Sequence, residues 1–139
     1  MEQRHLDRRK VYSRQEGRGC LEGVRILIAE DEALIAMELI SIFEDVGATV
    51  VGPCRTLSAA LARAQEEGLS AAILDLRLGR DSSTPLARVL AERRIPFFFY
   101  SGQAGNDPIR AEWPDSILIS KPAKADRLID TAVDLLKSR

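Results

Sequence analysis

The sequence lacks the features that would direct it to a membrane, to nucleic acid or to a disulfide-bonded fold. Its apolar stretches reach about six residues, whereas roughly 20 are needed to cross a bilayer, and its N-terminus has no apolar signal segment. With a net charge of −1, overall charge gives no reason to expect nucleic-acid or membrane partners. Cys20 and Cys54 match no metal-ligand spacing. We expect two unpaired thiols in a cytoplasmic protein.

Histidine is also scarce, and the N-terminal residues differ from the rest. His5, the one histidine, has no His or Cys neighbour, so we expect a solvated side chain and not a metal ligand. Residues 1–22 have little apolar content and several cations: Arg4, Arg8, Arg9, Lys10, Arg14 and Arg18. We predict a polar, partly basic tail over 1–22 that is mobile or partly helical. The alternative is an arm that docks on a partner. Residues 23–139 are predicted to form one folded domain.

Five apolar runs in this domain alternate with helical patterns. The predicted strands are Val24–Ala29, Thr49–Gly52, Ala71–Asp75, Pro96–Tyr100 and Ser116–Ile119. The helices between them are predicted from apolar residues at helical spacing and from their ends: Gly47 and Gly68 as stops, Thr56 as an N-cap, and Ser83 or Thr84 before Pro85. Residues 77–83 are predicted to be a polar loop. Glycines and prolines between Gly102 and Pro114 predict a short fourth helix.

Strands that alternate with helices predict an α/β fold with a doubly wound, five-stranded parallel sheet and helices on both faces. Strands one and three both end in acids and should be adjacent, which favours the strand order 2-1-3-4-5.

Polar side chains follow four of the predicted strands. Glu30-Asp31-Glu32 closes the first, Asp75 the third, Ser101 the fourth and Lys121 the fifth. Ligands of open parallel sheets bind beyond the carboxyl ends of the strands. We therefore expect carboxylates, a hydroxyl and an ammonium to converge at one edge, an arrangement that suits a divalent cation and a phosphoryl group.

With these polar residues, the chain from 23 to 139 resembles the receiver domain of two-component response regulators. The resemblance is to the chemotaxis-regulator type, which has a flavodoxin-like fold. An acidic pair (Glu30-Asp31), an aspartate (Asp75), a hydroxyl residue (Ser101) and Lys121-Pro122 stand in the family's order. Each motif alone is weak, but their agreement in register is specific. Phe99-Tyr100-Ser101-Gly102 also resembles the Phe-Ala-Thr-Gly motif of single-domain alphaproteobacterial receivers.

The resemblance implies a role for each of these residues. Asp75 would accept the phosphoryl group, Lys121 would clamp its oxygens, and Ser101 would donate a hydrogen bond to it. Mg²⁺ would be bound directly by Asp31 and Asp75, through water by Glu30, and by the backbone carbonyl of Arg77.

The expected function is that of a stand-alone receiver, a signalling phospho-acceptor and not an enzyme beyond its own phosphorylation and dephosphorylation. The chain ends soon after the last predicted helix, so we expect output through protein contacts at the fourth helix, fifth strand and last helix. The implied partners are a histidine kinase or histidine phosphotransfer protein, a downstream protein and a second copy in a homodimer. The alternatives are a phosphate sink, a non-phosphorylated scaffold, or an aspartate-nucleophile phosphohydrolase. The last needs an acid two residues after Asp75, where Arg77 stands.

The sequence departs from the family at Leu118, three residues before Lys121, where receivers usually carry an aromatic residue that takes part in switching. Tyr100 and the loop from Gln103 to Pro114 are the alternatives for that role.

Overall fold

The computed structural model describes residues 19–102 and 107–138, which contain a five-stranded parallel sheet. Its strands are β1 (Arg25–Ala29), β2 (Thr49–Cys54), β3 (Ala71–Leu74), β6 (Phe97–Ser101) and β7 (Leu118–Ser120). They lie side by side in the order β2-β1-β3-β6-β7. This confirms the predicted order 2-1-3-4-5, because two short strands between β3 and β6 form a separate sheet.

Helices cover both faces of the sheet, as predicted. They are α1 (Ala33–Asp45), α2 (Leu57–Arg63), α3 (Thr84–Glu92), α4 (Ile109–Glu112) and α5 (Ala125–Lys137). Alternate residues of a strand point to opposite faces. In β1, Ile26 and Ile28 therefore pack with apolar residues of α1 and α5, whereas Leu27 and Ala29 pack with those of α2, α3 and α4. The four-residue α4 agrees with the predicted short helix.

Helix α2 begins as predicted but ends early. The Thr56 hydroxyl accepts a hydrogen bond from the Ala59 N–H at 3.1 Å, which confirms Thr56 as the N-cap. The helix ends at Arg63 and not just before Gly68, so the predicted end is wrong. Just beyond this end, the distant Arg93 guanidinium donates to the carbonyls of Ala64 and Glu66 and so satisfies backbone acceptors of the non-helical segment.

The segment 77–83, predicted as a loop, contains a hairpin instead. β4 (Arg77–Leu78) pairs antiparallel with β5 (Asp81–Ser82). The connecting turn has two residues and begins with Gly79 at a φ of +64°, a conformation that glycine adopts without strain. Leu78 is buried in the core, and this anchors the hairpin against the domain.

Much of the predicted N-terminal tail, residues 1–18 with His5, lies outside the described residues. Leu21, which falls within 1–22, is buried, and its N–H donates to the Val46 carbonyl at 2.9 Å. The tail itself stays a prediction. Cys20 and Cys54 are unpaired. No helix in the described part of the chain is long and apolar enough to span a bilayer.

The packing of α3 generates a stability prediction. Leu90 is fully buried against the sheet, whereas Leu34 on α1 is 78% exposed. We expect Leu90→Ala to lower the free energy of unfolding by about 2–5 kcal/mol, because it leaves a cavity in the core. Leu34→Ala is the matched control, and its effect should stay within about 0.5 kcal/mol. Urea unfolding measures both changes; equal losses would contradict this packing.

Candidate functional site

The site lies at the carboxyl edge of the sheet, where three neighbouring strands bring their polar ends together. Asp75 directly follows β3, Ser101 ends β6, and Lys121 directly follows β7. The parallel pairing of Ser101 with Ser120 sets the register, and the Lys121 N–H donates to the Ser101 carbonyl at 3.0 Å. The side chains of Ser101 and Lys121 both donate to the Asp75 carboxylate. Its Oδ1 accepts from the Ser101 hydroxyl at 2.6 Å, and its Oδ2 accepts from Lys121 Nζ at 2.8 Å.

The ammonium of Lys121 is the centre of the site. Besides Asp75 Oδ2, its Nζ lies 2.8 Å from Glu30 Oε1 and 2.9 Å from Glu32 Oε1. Three negative charges against one positive charge leave these four side chains with a net charge of −2 when all are ionised. Electrostatics therefore favours a further cation at this edge.

Burial and these contacts shift the pKa values of two groups. Burial opposes the charge on Lys121, but the hydrogen bonds to Asp75, Glu30 and Glu32 outweigh it and raise the pKa of Lys121 above its ordinary value. Burial also raises the pKa of the Glu30 carboxyl, against the opposing hydrogen bonds from Lys121 and from the Glu32 N–H. Lys121 thus stays charged, and Glu30 depends on it as a counter-ion.

Backbone hydrogen bonds fix the residues that carry the acids. The Glu30 N–H donates to the Cys54 carbonyl at 3.0 Å, and the Asp75 N–H donates to the Ala29 carbonyl at 3.1 Å. Ser83 is the N-cap residue of α3, one of the two predicted positions, but its hydroxyl makes no capping hydrogen bond and donates to the Asp75 carbonyl. The backbone of Asp75 is therefore held from both sides before any ligand binds.

Asp31 belongs to the same acidic stretch, but its carboxylate bonds elsewhere. Its Oδ2 accepts from the Gly79 N–H at 2.8 Å, in the turn between β4 and β5, and its carbonyl accepts from Arg55 Nη2 at 3.0 Å. The structure thus brings Glu30, Asp75, Ser101 and Lys121 into direct contact and places Asp31 at the hairpin beside them. Its role as a direct metal ligand stays a prediction.

Glu32 is the site residue that sequence reasoning missed. Its carboxylate joins those of Glu30 and Asp75 around Lys121, although the resemblance to receivers implies a role only for the first two residues of the acidic triplet. Its position in the sequence could have indicated this role, because Glu32 lies three residues after the end of β1 and is the N-cap of α1.

Arg77, predicted to supply a carbonyl ligand, lies in β4, and its Nε donates to Asp107 Oδ2 at 2.9 Å. The role of its carbonyl stays a prediction.

Leu118, the departure from the family, is half-buried in β7 and pairs with Phe99. The Tyr100 hydroxyl accepts from the Ala123 N–H at 3.1 Å. Its ring centre lies 5.8 Å from Lys121 Nζ. The loop from Gln103 to Pro114 is the other alternative for the switching role. Its residues 103–106 lie outside the part of the chain that the structure describes.

The acidic cluster fits a Mg²⁺ ion. Glu30, Glu32 and Asp75 each offer a carboxylate oxygen, and these oxygens lie within 4.8 Å of one another. Mg²⁺ prefers hard oxygen ligands, binds through one or two carboxylates plus water, and can share its shell with phosphate oxygens.

Known structures with this fold identify the family. No protein-family model and no curated protein matches the chain. SdrG from Sphingomonas melonis Fr1 is 41% identical, over 82% of this chain and 96% of SdrG, with a TM-score of 0.71. A response regulator receiver protein from Sinorhizobium medicae WSM419 is 28% identical, over 85% of this chain and 98% of that protein, with a TM-score of 0.72. The chain belongs to the response regulator receiver family.

The same fold occurs in more distant receivers. The receiver domain of the sensor histidine kinase PA1611 from Pseudomonas aeruginosa PAO1 is 19% identical, over 83% of this chain and 98% of that domain, with a TM-score of 0.71. Its crystal structure holds a magnesium ion in the active site cleft. The Phe-Ala-Thr-Gly subclass stays a prediction for this receiver.

The central place of Lys121 generates a second prediction. Lys121→Met keeps the apolar stem but removes the ammonium, so Glu30 and Asp75 lose a counter-ion in a largely buried site. We expect the receiver to remain folded but to lose roughly 1–3 kcal/mol of unfolding free energy in a chelator, less than for a fully buried pair because Glu32 is exposed.

Added Mg²⁺ should recover most of that loss, since it supplies positive charge to the same carboxylates. Lys124→Met, at an exposed lysine, is the matched control and should change stability little. Urea unfolding of wild type and both variants, in a chelator and with Mg²⁺, gives the six free energies to compare. Wild-type stability for Lys121→Met in the chelator would show that the ammonium does not balance these acids.

Proposed function

We propose that this receiver accepts a phosphoryl group on Asp75 in a Mg²⁺-dependent reaction and passes the signal on through protein contacts. The observation that carries the proposal is the environment of the Asp75 carboxylate. One oxygen is bonded to a hydroxyl, Ser101, and the other to an ammonium, Lys121, beside a carboxylate cluster that fits Mg²⁺.

The chemistry follows from what a carboxylate can do. An oxygen of Asp75 forms a bond to phosphorus while the bond between phosphorus and the donor breaks, which gives an aspartyl phosphate. Ser101 and Lys121 orient the carboxylate, and the Ser83 bond to its carbonyl fixes its backbone. Mg²⁺, held mainly by the buried carboxylates of Glu30 and Asp75, would neutralise charge on the phosphoryl oxygens. The new group carries about two negative charges, for which Lys121 is the adjacent cation.

The donor and the target belong to the same proposal. A histidine kinase or histidine phosphotransfer protein would supply the phosphoryl group, and small acyl phosphates would replace it in vitro. Output as a stand-alone receiver would use the surface of β7 and α5. A groove of about 460 Å³ lies there, lined by Leu118, Ser120, Pro122, Ala123, Lys124 and Arg127. A homodimer, a role as a phosphate sink and a cytoplasmic location remain predictions.

Intact mass separates this proposal from its alternatives. We expect incubation with Mg²⁺ and acetyl phosphate to add the mass of one phosphoryl group, and the adduct to persist long enough to be detected. Steady phosphate release without an adduct would support the phosphohydrolase instead. No adduct, also with a panel of histidine kinases as donors, would support the non-phosphorylated scaffold. The chain has Arg77 where the hydrolase mechanism needs an acid, and the Arg77 guanidinium bonds to Asp107.

Asp75→Asn tests the acceptor directly. The amide keeps the size of the side chain but removes the nucleophilic carboxylate, so we expect phosphate incorporation from a cognate kinase to be abolished. Asp81→Asn, at an exposed aspartate in the nearby hairpin, is the control and should incorporate phosphate like wild type. Labelling of Asp75→Asn at the wild-type rate would refute the assignment.

A further inference from the structure

The three N–H groups of the Lys121 ammonium are all engaged. Lysine has three donors and no acceptor, and in this receiver they face Glu30, Glu32 and Asp75 at 2.8–2.9 Å. A phosphoryl group on Asp75 brings further acceptor oxygens to this ammonium. Lys121 can donate to them only if it gives up a carboxylate.

The three carboxylates are not held equally. The Glu30 and Asp75 side chains are 1% and 11% exposed, and each has a second hydrogen bond: Glu30 Oε2 from the Glu32 N–H at 2.9 Å, Asp75 Oδ1 from the Ser101 hydroxyl. The Glu32 side chain is 62% exposed. Although Glu32 is the N-cap of α1, its side chain makes no capping hydrogen bond. Water can replace Lys121 at Glu32 with little loss, whereas separating Lys121 from buried Glu30 would leave an uncompensated charge.

We propose that Glu32 is the displaceable partner of Lys121: it holds the third N–H of the ammonium and yields that position to a phosphoryl oxygen on Asp75. The inference rests on the proposed phosphorylation of Asp75 and deepens it. Glu32 acts here through Lys121, so it is a positioning residue that tunes how readily the phosphorylated form is reached. Its negative charge and its hydrogen bond both oppose arrival of the phosphoryl group.

Two other roles for Glu32 give different results. A cation ligand would make Mg²⁺ binding depend strongly on Glu32. A solvated acid on α1 would affect neither Mg²⁺ nor the phosphoryl group. As the displaceable partner, Glu32 instead weakens the binding of a phosphoryl mimic while contributing little to the binding of Mg²⁺ alone.

The experiment measures two dissociation constants by calorimetry on the full chain, one for Mg²⁺ alone and one for beryllofluoride in saturating Mg²⁺ as the phosphoryl mimic. Glu32→Gln removes the charge at constant size. Glu32→Asp keeps the charge but shortens the reach to Lys121 by one methylene. Glu38→Gln, at an exposed glutamate of the same helix, is the matched control. Thermal unfolding checks that every variant is folded.

We expect both Glu32→Gln and Glu32→Asp to bind beryllofluoride about two- to fivefold more tightly than wild type, the range of one exposed ion pair. For Mg²⁺ alone they should stay within about twofold of Glu38→Gln. The inference is overturned if Glu32→Gln weakens both ligands, if both Glu32 variants match Glu38→Gln, or if Glu32→Asp matches wild type while Glu32→Gln binds beryllofluoride more tightly. In that last case only the charge would matter. Failure of the proposed function looks different: wild type itself would bind no beryllofluoride.

Discussion

The contact between one ammonium and three carboxylates is the interaction on which the site depends. Lys121 comes from the end of β7, Asp75 from the end of β3, and Glu30 and Glu32 from the link between β1 and α1. Two like charges about 5 Å apart repel by about 3 kcal/mol at an effective dielectric near 20. Three acids at one sheet edge therefore need a cation among them, and Lys121 holds these separate segments together.

The sheet makes this contact possible, and its outline could be read from the sequence. Parallel strands buried on both faces appear as apolar runs, so five such runs predicted five strands. The ends of parallel strands align at one edge, which is why the sequence alone predicts that Asp75, Ser101 and Lys121 meet. Adjacency of β1 and β3 followed from the acids at their ends. The prediction worked because it used strand ends, where direction and register leave little freedom.

Residues within loops could not be placed in this way. Asp31 and Glu32 are neighbours, and spacing alone does not say which carboxylate turns toward Lys121. Asp31 turns to the Gly79 N–H, 48 positions later in the chain. That N–H is available because residues 77–82 form a hairpin, which the polar composition of the segment concealed. The end of α2 was also missed, and there too a distant residue is involved: Arg93 donates to the Ala64 and Glu66 carbonyls just beyond the helix.

Strand alternation also decides which residues of β6 and β7 face the site. Ser101 and Tyr100 are neighbours on β6 and point to opposite sides, Ser101 to Asp75 and Tyr100 into the core beneath α1 and α5. Tyr100 contacts the segment that carries Lys121 through the Ala123 N–H. Leu118 packs on the other face, against the same buried cluster as Phe97 and Trp113. The Tyr100 ring, 5.8 Å from the Lys121 ammonium, therefore lies on the α1 and α5 side of the sheet, whereas Leu118, at the position where receivers usually carry an aromatic residue, lies on the opposite side.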